Sequence, residues 1–188
     1  MNTVKFSTKQ LNILVEIMHG LGDTVCALSL LKGVRYLYPN ARLTVLCKMN
    51  AGRDIIESSR IPVDEIIVLD VYKDIYITYK TILNLRKHHF DIGISAGITP
   101  VKKSKLFMKL CGVKKHIGFQ ASGTNKYDYD IHFVEANVRT LGLDFSDKFR
   151  PQLYVDSDSE VFIESYFKSL EKAKPIIGLC IGNADPSL

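Results

Sequence analysis

Residues 12–25, NILVEIMHGLGDTV, decide how the rest of the chain is read. Leu11 to Met18 forms an apolar run that reads as a strand, a glycine-bearing turn follows, and Asp23 stands where the next helix begins. Buried strands of a parallel sheet are nearly continuous apolar runs, and ligands gather beyond their carboxyl ends. Chemistry is therefore expected at this turn.

Beyond Asp23, Thr24 to Tyr38 reads as a helix, with Leu28, Leu31, Val34 and Leu37 at three-residue steps and Pro39 just past its end. Strands follow at Arg42 to Cys47, Glu65 to Leu69, Asp91 to Ser95 and Lys115 to Phe119. Between them lie helices at Ala51 to Ser58, Asp74 to His88 and Lys102 to Cys111, the last closed by Gly112. A loop from Gln120 to Asp130 precedes a helix from Phe133 to Leu141, and Gln152 to Val155 reads as a short strand. Strands alternating with helices of this length form βαβ units with right-handed crossovers. The expected fold is an α/β, three-layer Rossmann-like domain with a mostly parallel sheet.

After the acidic cluster Asp156 to Asp158, residues 159–172 read as a charged helix, and PIIGLCIGNADPSL then opens a fresh strand and turn. The expected organisation is a Rossmann-like domain over 1–155, a linking helix over 156–174, and the first strand and turn of a second domain over 175–188. One more edge strand on the first sheet is the alternative for that tail.

Composition narrows the function classes. At 188 residues and 46% apolar content the chain can bury one well-packed core. Cys26, Cys47, Cys111 and Cys180 lie far apart, with neither C-x-x-C spacing nor a histidine at zinc-finger distance, so no metal site is expected. The start, MNTVKFSTKQ, lacks the apolar core of a signal peptide, and no apolar run reaches the roughly 18–20 residues of a membrane span. A reduced, cytoplasmic protein is the expectation, with peripheral contact at the inner membrane allowed. The net charge of +5 is unevenly placed. Six lysines (Lys102, Lys103, Lys105, Lys109, Lys114, Lys115) and no acid fall between Ile98 and Gly118. Such a field suits an anionic ligand or surface, although a solvated helix face has the same composition.

The turn at Asp23 is not a dinucleotide fingerprint: Val25 stands at the third glycine, and Cys47 and Lys48 replace the ribose-binding acid. Nor does a P-loop appear. The glycines allow close backbone approach, and Asp23 can cap the helix through its side chain. Two Asp-x-Asp strings, at 128–130 and 156–158, read as solvated loop and helix cap rather than as metal ligands.

The block ILVEIMHGLGDTVCALSLLKGVRYLYPNARLTVL resembles the amino-terminal part of glycosyltransferase family 9, the heptosyltransferases of lipopolysaccharide-core biosynthesis. Three further blocks are similar in order and spacing: DIGISAGITPVKKSKLFMKLCGVKKHIGF, the His-x-Val-Glu helix at His132 and Glu135, and PIIGLCIGNADPSL. The resemblance implies the amino-terminal, acceptor-side half of a GT-B glycosyltransferase. It places the family's catalytic base on Asp23 and acceptor contacts on Gly20, Gly22 and Ser104, although capping or packing accounts for Ser104 about as well. Lys102, Lys103 and Lys105 join these by charge and topology, and Gly182 and Asn183 fall on the donor-binding loop. It further implies a nucleotide sugar such as ADP-heptose as donor substrate, a phosphorylated lipid-linked saccharide as acceptor, no cofactor, and no transfer by this chain alone. The competing reading is a noncatalytic module that binds an anionic ligand or surface through Lys102 to Lys115. Nucleic acid is disfavoured, because Phe107 is the only aromatic residue within that lysine-rich helix.

Overall fold

A computed structural model describes residues 10–71, 73–96, 101–118 and 131–169. The loop expected at 120–130, the Asp-x-Asp string at 128–130 and the terminal strand with Cys180, Gly182 and Asn183 lie outside the described residues. The chain divides into two compact units, Met1–Tyr154 and Val155–Leu188.

The first unit is α/β, with strands β1 (Asn12–Ile17), β2 (Arg42–Cys47), β3 (Glu65–Val68), β4 (Ile92–Ser95) and β5 (Lys115–Gly118). Its helices are α1 (Leu21–Leu37), α2 (Asn50–Ser58), α3 (Ile75–Arg86), α4 (Val101–Leu110) and α5 (Phe133–Arg139). The five strands are ordered β3-β2-β1-β4-β5 and pair in parallel, from Asn12 opposite Arg42 to Ile17 opposite Cys47 and with Glu16 opposite Ser95. β1 is central, so its carboxyl end lies at the point where the strand order reverses direction.

Strand periodicity divides the core between two layers. Ile13, Val15 and Ile17 pack with Leu28, Leu31 and Val34 of α1 and Ile56 of α2. On the opposite face Leu14 and Leu46 meet Leu85 of α3 and Met108 of α4. Fully burying an aliphatic side chain of this size contributes about 1.5–3 kcal/mol, so these two layers hold the sheet in register. Helices approach closely at Gly33 of α1: a Cβ there would stand 2.6 Å from Cδ1 of Leu141, the residue that leads out of α5, and that side chain would have to shift.

The strand expected over Gln152 to Val155 does not form. No ladder partner takes it up among the described residues; instead Tyr154 N–H donates to Ser58 O at the end of α2, 2.8 Å away. A short 3₁₀ turn at Asp147–Phe149, unanticipated from sequence, precedes it and buries Phe149. In the second unit, helix α6 (Ser157–Ser169) is capped by Asp156, whose Oδ1 and Oδ2 accept from Ser159 N–H and Oγ–H, both at 2.8 Å. Those hydrogen bonds hold its carboxyl below the usual carboxylate range.

Candidate functional site at the carboxyl edge of the sheet

Helix α1 begins at Leu21, three residues earlier than Thr24, and this changes the position of Asp23. Gly20 is the N-cap residue in extended conformation, and Asp23 is the third residue of the helix. Its Oδ2 accepts the Gly20 N–H at 3.3 Å, one half of a capping box; Gly20 has no side chain to supply the other half. The Gly20 carbonyl is taken by Thr24, through N–H at 3.0 Å and Oγ–H at 2.9 Å. Asp23 is half-buried, beside the N–H groups of the first turn that have no partner within the helix.

Neither neighbouring glycine is demanded by the fold. Among the described residues, a Cβ on Gly20 would meet only Asp23 Oδ2, at an ordinary 3.7 Å, and one on Gly22 would meet nothing within 4 Å. Among the described residues, the missing side chains leave open space on either side of Leu21, next to Asp23. His19, half-buried in the same turn, shares this electrostatic environment. Burial pushes its imidazole below the ordinary value, the carboxylates of Asp23 and Glu16 pull it upward, and Lys48 beyond β2 adds a further downward push.

Lys102, Lys103 and Lys105 are exposed on α4, which follows the carboxyl end of β4, the strand paired with β1. Topology thus brings them to the same edge as Asp23. Ser104 departs from the expectation of an acceptor contact, being only 1% exposed, with its hydroxyl turned inward.

There Ser104 joins a buried polar cluster that sequence reasoning missed. Glu16 lies in β1 on the face shared with Leu14, and its Oε2 accepts Oγ–H from Ser95 at 2.9 Å and from Ser104 at 2.5 Å. Ser95 Oγ also lies against Ser104 Oγ and 2.8 Å from His116 Nε2. With the hydroxyl protons directed to Glu16, the His116 Nε2–H donates to Ser95. Burial, followed by the charge of Lys105, keeps the His116 imidazole below its ordinary pKa. The cluster joins β1, β4 and β5 to the first turn of α4, and so fixes where the exposed lysines begin.

His132 has a local role: it is the N-cap of α5, its Nδ1 accepting Val134 N–H at 3.3 Å, and Glu135 pairs with Arg139. Among the described residues no group of three His, Cys, Asp or Glu side chains could hold a metal ion, and no helix is long and apolar enough to cross a membrane.

No protein-family model matches this sequence, and no curated protein matches it. Solved structures do. The glycosyl transferase family 9 structure from Veillonella parvula superposes with a TM-score of 0.70 at 17% identity, over 94% of this chain and 54% of that one. E. coli ADP-heptose lps heptosyltransferase II gives 0.61 at 21% identity, over 88% of this chain and 53% of that one. E. coli heptosyltransferase WaaC, solved with ADP, gives 0.54 at 18% identity, over 82% and 53%. The chain spans about half the length of these structures. Over that half it has the Rossmann-like fold of the GT-B glycosyltransferases of family 9.

Proposed function

We propose that this chain is the acceptor-side half of an inverting glycosyltransferase of the heptosyltransferase type, with Asp23 as general base. The observation that carries the reading is the half-buried Asp23 carboxylate, weakly engaged by its own helix and near two glycines whose side-chain space is open among the described residues, beyond the central strand of the sheet. In the reaction an acceptor hydroxyl oxygen bonds to the anomeric carbon of a nucleotide sugar. The bond from that carbon to the nucleoside diphosphate breaks, its electron pair leaves with the diphosphate, and the hydroxyl proton passes to Asp23. ADP-heptose is the donor we favour, since one structural neighbour is an ADP-heptose lps heptosyltransferase and another was solved with ADP.

Gly20 and Gly22 let the acceptor approach the backbone closely. Lys102, Lys103 and Lys105 supply point charges for the phosphate groups of a lipid-linked saccharide. We place the donor nucleotide mainly on a second domain, with Gly182 and Asn183 among the residues that contact it. A cytoplasmic enzyme meeting its acceptor at the inner-membrane surface fits this division of labour.

The test is Asp23→Asn in a protein continued through the second domain. A positioned base contributes about 10² to 10⁴ in rate, so turnover should fall by that factor while the melting temperature stays near that of the parent. Turnover within a few-fold of the parent would reduce Asp23 to a helix-end residue and favour an anion-binding module without catalysis.

A further inference from the structure

A groove of about 520 Å³ lies at the far end of α1 from Asp23, bounded by the carboxyl-terminal ends of α1 and α2 and by residues 148–154. Tyr36 in this groove stands thirteen positions after Asp23 in α1, roughly 20 Å along the helix axis. The groove is thus independent of the site proposed above. Lys32, Arg35, Arg60 and Lys148 line it, with Tyr36 and Tyr154 as aromatic walls and no acidic residue among its described lining.

Two of these cations serve the fold. Arg35 donates to Pro62 O and Ala41 O, both at 2.6 Å, and to Asp64 Oδ2 at 2.9 Å. Lys32 Nζ donates to Arg150 O at 2.7 Å and to Gln152 Oε1 at 2.8 Å. The other two rest on rings: Lys148 Nζ lies 3.7 Å from the Tyr36 centroid, and Arg60 Cζ lies 4.5 Å from that of Tyr154. A ring orients a cation without neutralising it, as a carboxylate would. Asp64 is taken by Arg35 and Asp147 by Arg150.

The backbone supplies a second, independent observation. Arg60 follows the C-cap of α2 with φ of 55°, the left-handed position at which helices ordinarily place glycine. A charged side chain is held here against the local backbone preference, and it lies over the groove. Strain of this kind collects at functional sites.

We propose that this groove binds a phosphate ester carried on a ring-bearing body, with Arg60 and Lys148 taking the phosphate and the tyrosine walls taking the ring. The volume falls within the range of small-molecule sites. The guanidinium fork and the ammonium together match phosphate oxygens.

The experiment titrates the ¹⁵N-labelled 188-residue chain with pyrophosphate, AMP and glucose 6-phosphate in turn. Saturable shifts are expected at the amides of Arg60, Ile61, Lys148 and Phe149, with binding at least tenfold weaker in both Arg60→Gly and Lys148→Ala. Arg60→Gly relieves the backbone as it removes the charge, so its melting temperature should stay close to that of the parent. If that variant fails to fold, Lys148→Ala decides alone. Tighter binding of AMP than of glucose 6-phosphate identifies a nucleotide, and the reverse order a sugar phosphate; both support the proposal. It is overturned by no saturable shift at the groove, by affinity unchanged in Lys148→Ala, or by shifts confined to Gly20–Thr24 and Lys102–Lys105.

Discussion

Two helices start at the carboxyl edge of this sheet with an aspartate at their amino-terminal end, and the two carboxylates are used differently. Asp74 is the N-cap of α3, and its Oδ1 accepts the N–H groups of Tyr76 and Ile77 at 2.8 and 3.0 Å. Asp23 lies inside α1 and accepts one N–H at 3.3 Å, from a glycine. Asp74 is an ordinary cap; Asp23 has acceptor capacity left over, with open space near it at Gly20 and Gly22 among the described residues. An aspartate at a helix start is therefore not evidence of function by itself. What distinguishes the two is how little of the carboxylate the helix consumes.

The loss of turnover expected for Asp23→Asn, about two to four orders of magnitude, is the largest effect the comparison implies. Next comes the support beneath this edge. Ser104→Ala leaves the buried Glu16 carboxylate one donor short and should lower stability by about 1–3 kcal/mol in chemical denaturation. If it is neutral, the cluster does not hold α4 in place. Asp74→Ala should cost about 1 kcal/mol of stability, as lost caps do, and leave turnover in the two-domain protein unchanged. Equal damage to turnover from both aspartates would erase the contrast drawn here.

The smallest effect is on pH dependence. Folding lowers the pKa of His116 below its ordinary 6.5, so just below that pH the unfolded chain binds more protons than the folded one. Stability should therefore be full above about pH 6.5 and decline as the pH falls from there toward the folded pKa. His116→Gln, which keeps a donor for Ser95, should make that slope shallower in melts taken between about pH 5 and 7, leaving the part due to His19, which is lowered in the same direction. An unchanged slope would remove His116 from the account.

Apolar runs and helical spacing sufficed for the sheet: β2 has the bounds expected from sequence, and the other four strands agree to within a residue at each end. Local signals failed where partners are distant or where glycine conceals a helix turn. Gly20 and Gly22 concealed the first turn of α1, although an acid three residues after an N-cap is itself a helix-start pattern. Glu16 read as one polar residue in an apolar strand, because its partners Ser95 and Ser104 are 79 and 88 residues away. Ser104 was legible in principle, since it shares a helical face with Met108 and Cys111, all three buried. The apparent strand at 152–155 shows the opposite failure: strand propensity without a neighbour to pair with gives only an extended segment.

The central claim, that an acceptor meets this chain at Asp23, is tested most directly by titrating the ¹⁵N-labelled 188-residue chain with phosphorylated core oligosaccharide. The account predicts saturable shifts at the amides of Gly20 to Thr24 and Lys102 to Lys105, with Asp74 to Ile77 unmoved. Shifts confined to the entrance of α3 or to the groove at Arg60, or no saturable shift at all, would contradict it.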